Sequence, residues 1–152
     1  MKINVKNIPV DGENLQGSEP ATIMDFADPV VTFEHDVEYR VHVQIQNNAV
    51  LVAGTLSTPV TLHCSRCLKS FQQKITVKEF VVHRELQGED FVDLTDNLRE
   101  DIILELPQRA LCQIDCQGLC PVCGKDLNEG VCQCNLSRGD LRWQTLDQIK
   151  LK

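Results

Sequence analysis

From residue 37 to residue 45 the odd positions Val37, Tyr39, Val41, Val43 and Ile45 are apolar, while Glu38, Arg40, His42 and Gln44 between them are polar. A period of two sustained over this length predicts a half-buried strand with one face on a core. Asn47-Asn48 follows directly. Asparagine tolerates the positive φ of a tight hairpin turn, so residues 49–56 are predicted as the returning strand. Thr58-Pro59 punctuates that run, and Val60 to His63 form a further short strand. Residues 71–84 are rich in β-branched and aromatic side chains (Phe71, Ile75, Thr76, Val77, Phe80, Val81, Val82), which predicts one long or two shorter strands. Ahead of this meander, Ile3, Val5 and Ile8 alternate with polar residues up to Pro9, which suits a short strand. The polar stretch 11–20, with Gly12, Gly17 and Ser18, reads as a loop.

The period then changes. Leu94, Leu98 and Ile102 recur every four residues before Pro107, and Asp93-Leu94-Thr95-Asp96 supplies N-capping oxygens, so a helix of about three turns is expected. Residues 112–134 show little periodicity and hold six of the eight cysteines, so a metal has to replace the apolar core there. Leu141, Trp143, Leu146 and Ile149 make an apolar stripe suited to a short C-terminal helix. The expected fold is α+β: an antiparallel β-rich body with one or two helices and a small C-terminal zinc-stapled segment. The division falls between residues 1–110, the body with its terminal helix, and residues 111–152, a cysteine-rich zinc-binding tail.

With 152 residues, 42% of them apolar, the chain can bury one good core and a small appendage. Its longest apolar runs fall far short of the roughly 20 residues of a membrane span. The N-terminus lacks the apolar region and cleavage site of a signal peptide, so a cytoplasmic location is expected. The net charge of −7 argues against a simple polycation that coats nucleic acid. The charge is uneven: residues 1–62 carry 3 Lys/Arg against 8 Asp/Glu and residues 88–130 carry 3 against 10, whereas residues 63–87 carry 5 against 2. An anion-binding face would therefore run through Arg66, Lys69, Lys74 and Lys78 of this basic segment.

Cys120-Pro121-Val122-Cys123-Gly124 is a zinc-knuckle signature. Two cysteines separated by two residues reach one tetrahedral ion from a tight turn, and the following glycine lets the backbone bend under the sulfurs. Cys132 and Cys134, beyond a turn at Asn128-Glu129-Gly130, and Cys112 and Cys116, spaced for one face of a last helical turn, are the candidate partners. These six sulfurs exceed the four of one structural zinc, and the sequence does not choose among them. Iron–sulfur ligation competes, since cysteine-only sites permit it. Cys64-Ser65-Arg66-Cys67 is a second pair with three readings: half of a zinc site, either a second one or one shared with the tail since eight sulfurs fill two four-thiolate sites, a redox pair, or two structural cysteines in a turn. His35, His42, His63 and His83 stand alone, and no nucleophile elbow, phosphate-cradling loop or His-Glu-x-x-His pattern occurs. No catalytic residue is assigned.

Cys64-Ser65-Arg66-Cys67-Leu68, Asp93-Leu94, the run from Glu100 to Pro107, Leu111-Cys112, the run from Cys116 to Gly124, Leu127-Asn128, Cys132-Gln133-Cys134 and the closing Asp140-Leu141-Arg142-Trp143 occur together in this order. In this the chain resembles the YceD family, the bacterial and plastid large-ribosomal-RNA accumulation proteins, in which proline often stands at the position of Leu141. The resemblance implies a part in the accumulation or maturation of large-subunit ribosomal RNA without enzymatic activity. Some family members lack the C-terminal cysteine cluster, which implies a stapling role for Zn2+. Three readings of function follow: a ribosome-biogenesis factor binding ribosomal RNA or a pre-ribosomal protein, a zinc-stabilised adaptor that contacts protein only, and a thiol oxidoreductase using Cys64 and Cys67. None calls for a membrane or a small-molecule substrate.

Overall fold

The computed structural model describes residues 1–26 and 28–134. The predicted C-terminal helix lies outside the described residues. The fold is α+β, with mostly antiparallel strands and one α-helix among the described residues. Strand β1 is Lys2–Asn4, β2 Glu13–Glu19, β3 Val31–Thr32, β4 Val37–Gln46, β5 Ala49–His63, β6 Ser70–Glu85 and β7 Phe91–Asp93, and helix α1 is Thr95–Leu104. A five-stranded sheet runs β2-β4-β5-β3 with β6 on the other edge of β5, and β1 pairs with β7 in a separate two-stranded sheet. No helix among the described residues is long and apolar enough to cross a membrane.

The alternation at 37–45 is strand β4, with Val37, Val41 and Val43 buried. Asn47 and Asn48 both take positive φ (+48° and +62°) and close the two-residue hairpin in which Gln46 pairs with Ala49. Strand β5 then runs on through Thr58-Pro59 instead of breaking there. The amide of His63 donates to Val30 O on the β3 side, so residues of the same parity, Pro59 among them, direct that position to the same edge. Pairing with β4 ends at Ser57 and pairing with β3 begins at Thr61, so Pro59 falls in a gap where no ladder bond is lost. Thr58 is fully buried, and its hydroxyl donates to His35 O at 3.3 Å.

Residues 71–84 lie within the single long strand β6, and a bulge hides its period. Gly54 faces Phe80 but Leu56 faces Val77, so Lys78 and Glu79 together oppose Thr55. The buried positions accordingly switch from Ile75 and Val77 to Phe80 and Val82. At the same place β4 and β5 approach closely: a Cβ on Gly54 would meet Arg40 O and lie 2.6 Å from Val41 Cα.

The polar stretch at 11–20 is not a loop throughout, because residues 13–19 pair along β4 as strand β2. It is an edge strand held by its backbone ladder, and Leu15 is its apolar contribution to the core. The N-terminal strand is shorter than the alternation of Ile3, Val5 and Ile8 implied. After Asn4 the chain turns into a 3-10 helix, with the Asn4 side chain accepting from the Lys6 amide at 3.1 Å.

Helix α1 packs against β5 and β6. Leu94, Leu98 and Ile102 join Val37, Val43, Val50, Val52, Leu56, Phe80 and Val82 in the main core. The Asp93 carboxylate accepts from the Thr95 amide at 3.0 Å and from its hydroxyl, and these bonds hold its pKa below the usual carboxylate range. Toward the far end of β5 and β6 the core continues as Val60, Leu62, Ile75 and Ala110. It ends in a cluster of Cys64, Cys67 and Cys116, with Phe71 packing against both groups. The sheet thus delivers a cysteine pair at one end of its own hydrophobic core.

Candidate metal centre

Cys64 and Cys67 sit in the turn that joins β5 to β6. The Leu68 amide donates to Cys64 O at 2.9 Å, and the Cys64 amide donates to Lys69 O at 2.9 Å. The second pair repeats this wiring: the Gly124 amide donates to Cys120 O at 2.9 Å and the Cys120 amide to Lys125 O at 2.8 Å. Both turns bend through a left-handed residue, Leu68 at φ +62° and Gly124 at φ +72°. The two are therefore the same knuckle in backbone terms, although only the second has the glycine that marks it in the sequence.

The eight cysteines divide into two sets of four. Cys64, Cys67, Cys112 and Cys116 form one and Cys120, Cys123, Cys132 and Cys134 the other, and within each set all sulfurs lie within 4.8 Å of one another. In the first set Cys64 Sγ is 3.8 Å from Cys116 Sγ, and Cys67 Sγ is 3.6 Å from Cys112 Sγ. Four thiolates at about 2.3 Å from a tetrahedral ion stand about 3.8 Å apart, so the donor set fits one metal ion. All eight cysteines are free thiols. The segment carrying Cys112 and Cys116 is a turn, with the Cys116 amide donating to Gln113 O at 3.2 Å, and not the last turn of a helix. It reaches the first knuckle because α1 brings the chain back along the sheet to Ala110, whose carbonyl accepts from the Ser65 amide at 2.8 Å.

Crowding splits the thiol pKa values. Burial pushes Cys64 up, but amide hydrogen bonds from Cys112, Cys67 and Arg66 outweigh it and bring the thiol down to about 6. The Cys123 and Val122 amides bring Cys120 to about 6 as well. Burial and the neighbouring sulfurs push Cys112 up to about 12, and the Cys123 sulfur and burial do the same to Cys134. Four thiolates cannot share so small a space without a cation between them. A redox role for the first pair meets an access problem, since Cys64 is 0% and Cys67 4% exposed.

Neighbouring polar groups brace the first set and tie it to the second. The Arg66 guanidinium donates to Cys116 O at 2.7 Å, and Arg66 O accepts from the Leu119 amide at 3.1 Å. Lys69 Nζ lies 2.8 Å from Asp126 and 2.7 Å from Glu129. Asn128 Nδ2 is 3.5 Å from Cys116 Sγ. His63 is not among the groups placed to hold a metal ion, and its ring meets Leu68 O at 3.2 Å. Of the four basic residues singled out in the sequence, Arg66 and Lys69 are thus engaged inside the chain. Lys74 and Lys78 are exposed on β6 and make no ion pair among the described residues. Arg40, which lies outside the basic segment 63–87, pairs with Thr55 opposite the bulge at Lys78-Glu79 and so shares the sheet with them.

The model of the family described as large ribosomal RNA subunit accumulation protein YceD matches residues 52–150. The chain belongs to the YceD family. The matched stretch opens in β5 and contains all eight cysteines. The chain is also 36% identical over 107 residues to an uncharacterized protein of Mycobacterium tuberculosis, in an alignment covering 60% of this chain and 51% of the relative. It is 28% identical over 115 residues to one of Mycobacterium leprae, covering 64% of this chain and 52% of the relative. The matched region is thus about half the length of these curated relatives. No solved structure matches the chain significantly.

Proposed function

We propose that this YceD-family chain is a non-enzymatic factor in large-subunit ribosomal RNA accumulation, acting in the cytoplasm by binding pre-ribosomal RNA or protein. The observation that carries the reading is the family match spanning both cysteine sets. Each set binds one Zn2+ and staples a segment that lacks an apolar core. Sulfurs all within 4.8 Å of one another suit a single ion, whereas a polynuclear iron–sulfur cluster spreads its thiolates over several irons. Four thiolates leave no open position on the metal, which favours a structural role over a catalytic one. The described residues likewise offer no arranged nucleophile and base.

RNA contact, on this reading, runs through Lys74, Lys78 and Arg40 on the sheet, while Arg66 and Lys69 serve the scaffold. Neutralising three phosphates of a single strand gives a salt slope of about −2 on logarithmic axes. A protein-only adaptor is the second reading. It is favoured by the ion pairs that Lys69 makes with Asp126 and Glu129, which take a cation out of the basic segment.

The test is purification of the tagged chain from cells, with RNA and protein partners both identified. The Arg40→Glu, Lys74→Glu, Lys78→Glu triple variant is compared with Lys2→Glu, Lys6→Glu. Loss of ribosomal RNA in the triple variant alone supports direct contact. Retention of a protein partner without RNA in the parent moves the assignment to the adaptor. Absence of every ribosomal component sinks both.

A further inference from the structure

The two cysteine sets are joined by more than the covalent chain. Lys69 belongs to the first knuckle, since its carbonyl accepts from the Cys64 amide, yet among the described residues its Nζ pairs with carboxylates from the second segment alone. Those carboxylates come from the 3-10 turn Leu127–Glu129, where Glu129 is the last residue and Asp126 the cap, accepting from the Asn128 amide at 2.9 Å. Asn128 then reaches back to the first set. Its Oδ1 accepts from the Gln117 amide at 2.8 Å, and its Nδ2 donates to Cys116 Sγ at 3.5 Å. The Leu127 amide donates to Gly118 O at 2.9 Å, which closes the strap.

These contacts exist only while the second segment is ordered. Within residues 120–134, Cys120 alone is buried, so an empty second site leaves that segment with little to hold its shape. Cys116 would then lose its N–H donor, and Lys69 would lose both carboxylates. A donor to a metal thiolate fixes the sulfur and delocalises its charge, as second-shell partners do in other metal sites.

We propose that the two four-cysteine sites are thermodynamically coupled, with Lys69 and Asn128 as the positioning residues, so that a divalent ion at one site tightens binding at the other. The inference rests on the reading that both sites hold zinc. Linkage makes the effect reciprocal, and typical couplings correspond to factors of about 5 to 150. One ion-paired strut and one hydrogen bond to sulfur place it near the low end, at about ten-fold.

The experiment is a titration of the whole chain with Zn2+ against a competing chromophoric chelator. Disabling the second site with Cys132→Ser and Cys134→Ser weakens the first site about ten-fold. In a Lys69→Met, Asn128→Ala background the same disabling changes the first site less than two-fold. With Co2+ as the probe, Asn128→Ala alone shifts the sulfur-to-metal charge-transfer band of the first site, whereas the exposed Gln133→Ala does not. Equal first-site affinity with the second site intact or disabled overturns the coupling, and so does full coupling in the Lys69→Met, Asn128→Ala protein. A parent chain that binds two ions independently defeats this inference alone. A folded parent chain that binds none defeats the zinc reading beneath it.

Discussion

Replacing Cys120 and Cys123 together with serine removes half the donors of the second site and leaves the first intact. Residues 120–134 are fifteen in number and bury only Cys120, so their order has almost no hydrophobic source. Fixing a backbone costs at least about 1 kcal/mol per residue, hence about 15 kcal/mol for the segment. A structural zinc contributes about 10–16 kcal/mol at neutral pH, which is the only single term of that size at hand. The double variant therefore loses the shape of this segment along with its metal. The sheet is another matter. Its core of Val37, Val43, Val50, Val52, Leu56, Phe80, Leu98 and Ile102 includes no residue of the segment. What it loses is the pair of ion pairs on Lys69, a surface group for which such contacts are each worth about 0–1 kcal/mol, and the hydrogen bonds of the strap.

Metal content of the purified variant should fall from two equivalents to one, with far-ultraviolet circular dichroism keeping its strand signal. The urea midpoint of the sheet should move by less than about 2 kcal/mol of stability, while amide exchange rises in residues 120–134. The mirror variant, Cys64→Ser with Cys67→Ser, should cost the sheet more, because those sulfurs are buried at the end of its core. Collapse of all strand signal in the Cys120→Ser, Cys123→Ser protein, or retention of two equivalents, would refute the reasoning.

Two further outcomes are expected. Gly54→Ala places a methyl against Arg40 O and Val41 Cα, backbone atoms of a strand paired on both sides, so the sheet has to shift; a loss of about 2–3 kcal/mol by urea denaturation is expected, and a change under 0.5 kcal/mol would show that the strands yield easily. Zinc affinity should fall with falling pH, because Cys112 and Cys134, pushed up to about 12, are protonated at neutral pH in the metal-free chain and must release at least one proton per site on binding. Below about 6, Cys64 and Cys120 take up protons too and the dependence steepens. Titration calorimetry in buffers of different ionisation enthalpy reads this proton count, and an affinity constant from pH 6 to pH 8 contradicts it.

The parts of the fold that were legible in the sequence are those where one signal acts alone. Strand β4 is regular and half-buried, so burial writes its period directly into residues 37–45. Strand β6 is equally well packed, but the bulge at Lys78-Glu79 reverses parity between Val77 and Phe80, and a fixed period of two cannot follow it. Strand β2 leaves almost no trace because an edge strand is stabilised through its backbone, and hydrogen bonds of the backbone have no residue code. Pro59 misled for the converse reason: its missing donor matters only where a neighbour would have accepted, and the gap between β3 and β4 removes that neighbour.

The same distinction governs the two cysteine sets. Two-residue cysteine spacing is a local constraint and identifies each knuckle. Which knuckle takes Cys112 and Cys116 is decided by where α1 returns the chain, a tertiary fact that spacing does not contain. The kinship of the two knuckles was disguised as well, since Leu68 occupies the left-handed position that glycine fills after Cys123. Charge counting failed in a related way. Arg66 and Lys69 look free in a basic segment because their partners, Cys116 O, Asp126 and Glu129, come from fifty to sixty residues further on. A cation read from sequence is available to a ligand only if the fold has not already used it, so surface chemistry inferred from composition is weakest beside a tightly braced site such as this one.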